Sequence, residues 1–146
     1  MSIPAAGTPA QYVQDKAAGS GSSFYYAFMF LPPARRQAMT AFYAFCREVD
    51  DVVDEVTDAG VARTKLAWWH TEVAQSFAGS PSHPAMKALM PHVAPFGIEQ
   101  RQLQAVIAGG LRILARIDAA GGDVFVHRPV LRKRDWAVVA YRTVFS

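Results

Sequence analysis

The chain has 146 residues, is 51% hydrophobic and carries a formal net charge of +3, enough apolar material for one packed domain. Its one cysteine, Cys46, excludes an internal disulfide and fits a reducing, cytoplasmic compartment. The start lacks the basic-then-apolar order of a signal peptide, and the longest strongly apolar run, residues 24–31, is too short to span a bilayer.

The charge is uneven. Residues 1–109 carry 8 Lys/Arg against 9 Asp/Glu, net −1, and residues 110–146 carry 7 against 3, net +4. A basic tail suits nucleic acid or anionic lipid. No aromatic interleaving or nucleic-acid motif accompanies it, so nucleic acid is set aside as a partner.

In chain order, residues 1–19 read as a loose leader rich in Ala, Gly and Pro. A short helix is predicted over 22–30, with Ser20, Ser22 and Ser23 placed to cap its free N–H groups. Pro32 and Pro33 break the pattern and open a long helix over 33–56. Its early Arg35 and Arg36 read as solvated. Asp58 or Gly60 ends it. A third helix is predicted over 61–77, with Leu66, Trp69, Val73 and Phe77 at helical spacing. Of the adjacent Trp68 and Trp69, one belongs in the core and the other at a packing seam. His70 reads as structural or surface. A Gly/Ser/Pro loop spans 79–84. Two short helices follow, over 85–93, interrupted by Pro91, and over 99–108. Nothing alternates strongly enough for a sheet, so the fold class is all-α.

Residues 41–58 hold the chemistry. On a helix, Phe42, Phe45, Cys46, Val49, Val52 and Val53 share one side. Tyr43, Arg47, Asp50 and Asp54 form a stripe on the other, with Asp51 at its edge. The stripe breaks several local rules. Aspartate is a poor helix former, Asp50 and Asp54 are like charges at i,i+4, and the acids crowd the negative end of the helix dipole. A divalent cation relieves all of these penalties, and Mg²⁺ takes one or two carboxylates and completes its shell with water and phosphate oxygens. The plainer alternative is a solvated acidic helix end with an Arg47–Asp51 ion pair. Cys46, on the apolar side, reads as a buried small hydrophobe.

The run FYAFCREVDDVVDE resembles the first aspartate-rich motif of the squalene/phytoene synthase family, and SSFYYAFMFLPPARRQAMTAFYAFCR resembles that family's N-terminal helix pair. The resemblance is continuous over residues 20–58 and extends to about Gly109. Within the family it is nearest the presqualene diphosphate synthases of bacterial hopanoid biosynthesis. These are class I enzymes that join two farnesyl diphosphates head to head.

This resemblance implies a class I isoprenoid synthase-type helical bundle around a deep apolar cavity lined by aromatics such as Phe24 and Phe28. It implies Mg²⁺ held by Asp50 and Asp54, with Asp51 auxiliary. Arg47 would offer a planar fork to phosphate, and Tyr43 would lie nearer the reacting carbons. Ser20, Ser23 and Phe24 take positions near the bound prenyl diphosphate. Arg128, after DVFVH, resembles an arginine that reaches the diphosphate. NADPH belongs to a further step in some relatives, and no residue here supports it.

After Gly109 the text departs from the family. Residues 110–146 resemble the end of the same domain, and the second aspartate-rich motif is missing: the only later acids are Asp118, Asp123 and Asp135. We read an internal deletion joining near Gly109-Gly110, with a frameshift after Gly109 as the alternative. The organisation expected is thus a leader over 1–19, the N-terminal part of the domain over 20–109, and a C-terminal segment over 110–146.

The leading functional expectation is Mg²⁺-dependent condensation of two prenyl diphosphates, inactive if the second motif is indispensable. One alternative is phytoene synthesis from geranylgeranyl diphosphate. Another is a non-catalytic helical fragment that self-associates through exposed apolar faces. A lipid-handling protein of either kind has reason to touch a membrane surface.

Overall fold

The structure, a computed structural model, describes residues 7–119. All its regular elements are helices: α1 Pro9–Gly19, α2 Ser23–Phe28, α3 Pro33–Glu55, α4 Ala59–Phe77, α5 Pro84–Phe96 and α6 Gln100–Ala119.

The stretch expected to be a loose leader contains α1. Thr8 caps it by accepting a hydrogen bond from the Gln11 N–H, and Pro9 fits the first turn, where no N–H is needed. Val13 and Ala17, one turn apart, are buried against the other helices. Two small apolar side chains among Ala, Gln and Gly make a faint stripe, and packing supplies the rest. Residues 1–6 lie outside the described residues.

Gly21, at φ 62°, turns the chain between α1 and α2, and the Ser22 hydroxyl caps α2. Of α2, Phe28 is buried, while Tyr26 and, just beyond the helix, Met29 and Phe30 are exposed, Phe30 by 91%.

α3 is the central helix. Phe42, Phe45, Val49 and Val52 enter the main core with Leu66, Trp69 and Val73 of α4, Met86 and Leu89 of α5, and Leu103 and Ile107 of α6. A second cluster joins Ala17, Phe28, Met39 and Tyr43. α3 stops at Glu55, and Asp58 caps α4 by accepting from the Val61 N–H. Trp69 is buried and Trp68 half exposed.

The α4–α5 connection is held by a buried acid. Glu72, 2% exposed, accepts hydrogen bonds from the Ser82 N–H at 2.8 Å, the Ser82 hydroxyl at 2.5 Å and the His83 N–H at 2.7 Å. His83 then caps α5 by accepting from the Ala85 N–H at Nδ1. α5 runs on through Pro91, where an interruption was expected. Pro91 and Lys87 are both exposed, so the carbonyl that loses its partner one turn back is on the wetter side of the helix. Gly97, at φ 63°, closes α5.

α6 is twice as long as the helix expected there. It continues unbroken through Gly109-Gly110, the point read as a junction. Gly110 sits where a Cβ would lie 3.2 Å from Val53 Cγ2 and 3.5 Å from Leu66 Cδ1. Its missing side chain lets α6 approach α3 and α4, and Leu114 continues that contact. Arg63 of α4 pairs with Asp118 near the helix end. Arg128, Asp123, Asp135 and most of the segment 110–146 lie outside the described residues.

Candidate functional site

The acidic half of α3 meets α1. Arg47 reaches along its own helix, with Nη1 3.1 Å from Asp50 Oδ2 and Nη2 2.6 Å from Asp51 Oδ1. Lys16 of α1 lies 2.7 Å from Asp51 Oδ2 and 3.3 Å from Glu48 Oε1. Tyr12, one turn before Lys16, donates its hydroxyl to Glu48. Both oxygens of Asp51 therefore face cations.

The electrostatics follow. Burial works against the charge of Lys16, but its contacts with Asp51 and Glu48 outweigh that and hold its pKa above the ordinary lysine value. Burial raises the Tyr12 pKa, and the hydrogen bond and charge of Glu48 raise it further. Cys46 is buried, and burial, with the nearby charge of Asp50, pushes its thiol up. It stays protonated and is not a nucleophile.

Upstream, Tyr43 is buried. Its hydroxyl donates to Ser20 Oγ at 3.2 Å and its ring meets Phe28 edge-on, with centroids 5.6 Å apart. Ser20 in turn donates to the Ala17 carbonyl at 2.7 Å and accepts from the Ser22 N–H. Ser20 is thus a helix-end bond that also orients Tyr43. Phe24 packs half-buried on the same cluster, and Ser23 is exposed.

The structure brings together Arg47, Asp50 and Asp51, and separately Tyr43, Ser20, Phe24 and Phe28. Asp54 is exposed, one turn beyond Asp50. No group of three or more His, Cys, Asp or Glu among the described residues is arranged to hold a metal ion. Asp51, expected as an auxiliary ligand, takes part in two ion pairs, with Lys16 and with Arg47. Asp50, which also pairs with Arg47, and Asp54 one turn on are carboxylates of the kind that suit an ion taking two and finishing its shell with water and phosphate.

Sequence reasoning missed Lys16 and Tyr12, which sat in the supposed leader. Their i,i+4 spacing after Thr8-Pro9 is the only local sign of them. It also missed a cleft of about 730 Å³ beside Asp51, lined by Tyr12, Lys16, Glu55, Lys65, Trp68 and His83 among others. Among the described residues no helix is long and apolar enough to cross a membrane.

Comparison with known proteins shows the family. The squalene/phytoene synthase family model matches residues 17–111. The presqualene diphosphate synthase of Zymomonas mobilis is 40% identical over 89 residues, 60% of this chain and 30% of that protein. The presqualene diphosphate synthase of Rhodopseudomonas palustris is 34% identical over 89 residues, 61% of this chain and 32% of its own. The phytoene synthase of Arthrospira platensis is 31% identical over 94 residues, 64% and 30%. The chain spans about a third of the length of the curated relatives it matches. No solved structure matches it. The matched span contains α2 to α5 and the whole stripe on α3, while Tyr12 and Lys16 of α1 lie just before it. The chain belongs to the squalene/phytoene synthase family, whose fold is all-α and of isoprenoid synthase type.

Proposed function

We propose that this chain binds the diphosphate of a prenyl diphosphate at the Arg47–Asp50–Asp54 end of α3, as part of a head-to-head prenyl condensation of the presqualene diphosphate type. The observation that carries this is the alignment of Tyr43, Arg47, Asp50 and Asp54 along one helix, within the span that matches the family. Farnesyl diphosphate is the substrate we favour, because two of the relatives compared above are presqualene diphosphate synthases.

We assign the roles on that alignment. Arg47 holds a planar guanidinium against Asp50 and Asp51, and a diphosphate oxygen would replace one of those carboxylates on the fork. Asp50 and Asp54 would hold Mg²⁺, which neutralises the departing diphosphate. Tyr43, fixed by Ser20 and Phe28, supports the wall beside them. Arg128, outside the described residues, is proposed as a further diphosphate contact on the resemblance alone. Phytoene synthesis from geranylgeranyl diphosphate is the second reading, supported by the phytoene synthases among the relatives. Exposed Tyr26, Met29 and Phe30 support a third, self-association or contact with a membrane surface.

The test is binding and turnover of farnesyl and geranylgeranyl diphosphates with and without Mg²⁺, beside an Asp50→Asn/Asp54→Asn variant. Expected is Mg²⁺-dependent binding that the variant loses, tighter for farnesyl diphosphate. Binding indifferent to both Mg²⁺ and the variant would overturn the reading.

A further inference from the structure

A second cleft, of about 640 Å³, lies between α1, the first half of α3 and α5. It shares no residue with the stripe from Tyr43 to Asp54. Its floor is apolar, with Val13, Ala41, Ala88 and Pro91. Its charged lining is of one sign, beside the amides of Gln11, Gln14 and Gln37. Arg36 and Lys87 are the charged side chains, and no carboxylate lines it among the described residues.

Neither cation is in an ion pair with a carboxylate among the described residues. Arg36 donates from Nη2 to the Leu31 carbonyl at 3.1 Å, while its Nε is buried with no hydrogen-bond acceptor. Lys87 enters no ion pair among the described residues. Thr40, 4% exposed, lines the same cleft, and its hydroxyl takes part in no side-chain hydrogen bond of the described residues. The first turn of α1 also borders it, presenting the positive end of an 11-residue helix with no acid in that turn. Buried polar groups are normally satisfied, so a desolvated guanidinium donor and an idle hydroxyl in one acid-free cleft mark a place for an acceptor.

We propose that this cleft is a second anion site, built for a phosphate-type oxyanion held by Arg36, Lys87 and the Thr40 hydroxyl, and separate from the acidic stripe. It needs no metal, since the protein supplies the positive charge. The apolar floor suits a phosphate carried on a small organic or lipid group, and free phosphate offers the same oxygens. The proposal does not depend on the diphosphate reading of Arg47, Asp50 and Asp54.

The test is titration of the full chain with inorganic phosphate, without Mg²⁺ and at ionic strength held constant with chloride, followed by calorimetry and NMR. A parallel arm measures binding to phosphatidic acid vesicles against phosphatidylcholine vesicles. Arg36→Gln and Lys87→Gln should each weaken binding about tenfold, the scale of one charge-assisted hydrogen bond. Arg47→Gln should leave it unchanged. Lys87 is exposed, so Lys87→Gln decides the matter if Arg36→Gln fails to fold. Saturation by inorganic phosphate assigns the site to a free phosphate. Binding only to phosphatidic acid vesicles, weakened by Lys87→Gln, assigns it to a lipid headgroup. No binding in either arm, or binding indifferent to Lys87→Gln, overturns the site. Binding lost with Arg47→Gln instead places the anion at the acidic stripe and overturns the cleft while leaving the proposed function intact.

Discussion

Lys16 Nζ lies 2.7 Å from Asp51 Oδ2, and this contact fastens α1 to the acidic half of α3. Arg47 holds the other oxygen of the same carboxylate, so one aspartate is shared between two helices and two cations. Lys16→Met keeps the length of the side chain and removes the charge. It should cost about 1 kcal/mol, as a partly buried ion pair does, seen as a lower urea midpoint at neutral pH. Because the Lys16 pKa is raised in the fold, its contribution is full below the ordinary lysine value and fades as pH rises above it. The gap between wild type and Lys16→Met should therefore close in alkali. A gap that persists there would mean packing, not charge, sets the loss.

Glu72 works in the opposite pH range. Burial alone would raise its pKa, but the His83 N–H and the hydroxyl and N–H of Ser82 outweigh burial and hold it below the ordinary glutamate value. Its contribution is present above that ordinary value and is lost as pH falls through the lowered one. Glu72→Gln places an amide against these donors and should cost about 2 kcal/mol at pH 7 by thermal melting. The two proteins should converge in acid. Equal stability at neutral pH would show that the loop over 78–83 needs no carboxylate.

His83 caps α5 only while Nδ1 is unprotonated. Burial lowers its pKa, against the raising charges of Glu48 and Glu72, and its ring lies 4.6 Å from that of Trp69. Stability should fall as pH drops from the ordinary histidine value toward the lowered one, because the unfolded chain takes the proton first. His83→Asn retains a capping oxygen and cannot titrate. It should erase that step in a pH series of melting curves, while costing about 1 kcal/mol through lost ring contacts. An unchanged step would assign it to another group.

Gly110 sets how closely α6 lies to α3 and α4. Gly110→Ala gains up to about 1 kcal/mol of helix propensity, and its Cβ presses on a Val53 methyl that is only partly buried and has room to move. The result should be near neutral. Gly110→Leu should destabilise by about 1–3 kcal/mol through overpacking. Denaturant midpoints of the two variants test this, and a tolerated leucine would mean that α6 is not closely seated.

Much of this protein was legible in one dimension. The apolar side of α3 could be read from its period, as could the alignment of Tyr43, Arg47, Asp50 and Asp54, since both depend on spacing within a single helix. The helix read over 61–77 and the proline start of α3 were likewise written in local chemistry, while the Gly97 stop of α5 was not read. α1 was not. Val13 and Ala17 are a weak stripe until α3 and α5 cover them. The Arg47–Asp51 pair, weighed as the plain alternative to a metal site, forms, and Lys16 joins it from 35 positions away. Glu72 carries no local sign of its role, and only the returning loop at Ser82 and His83 gives it partners. Periodicity is a property of neighbours along one helix and survives in the sequence. Which cation meets which carboxylate is decided by how whole helices pack, and no spacing along the chain records it.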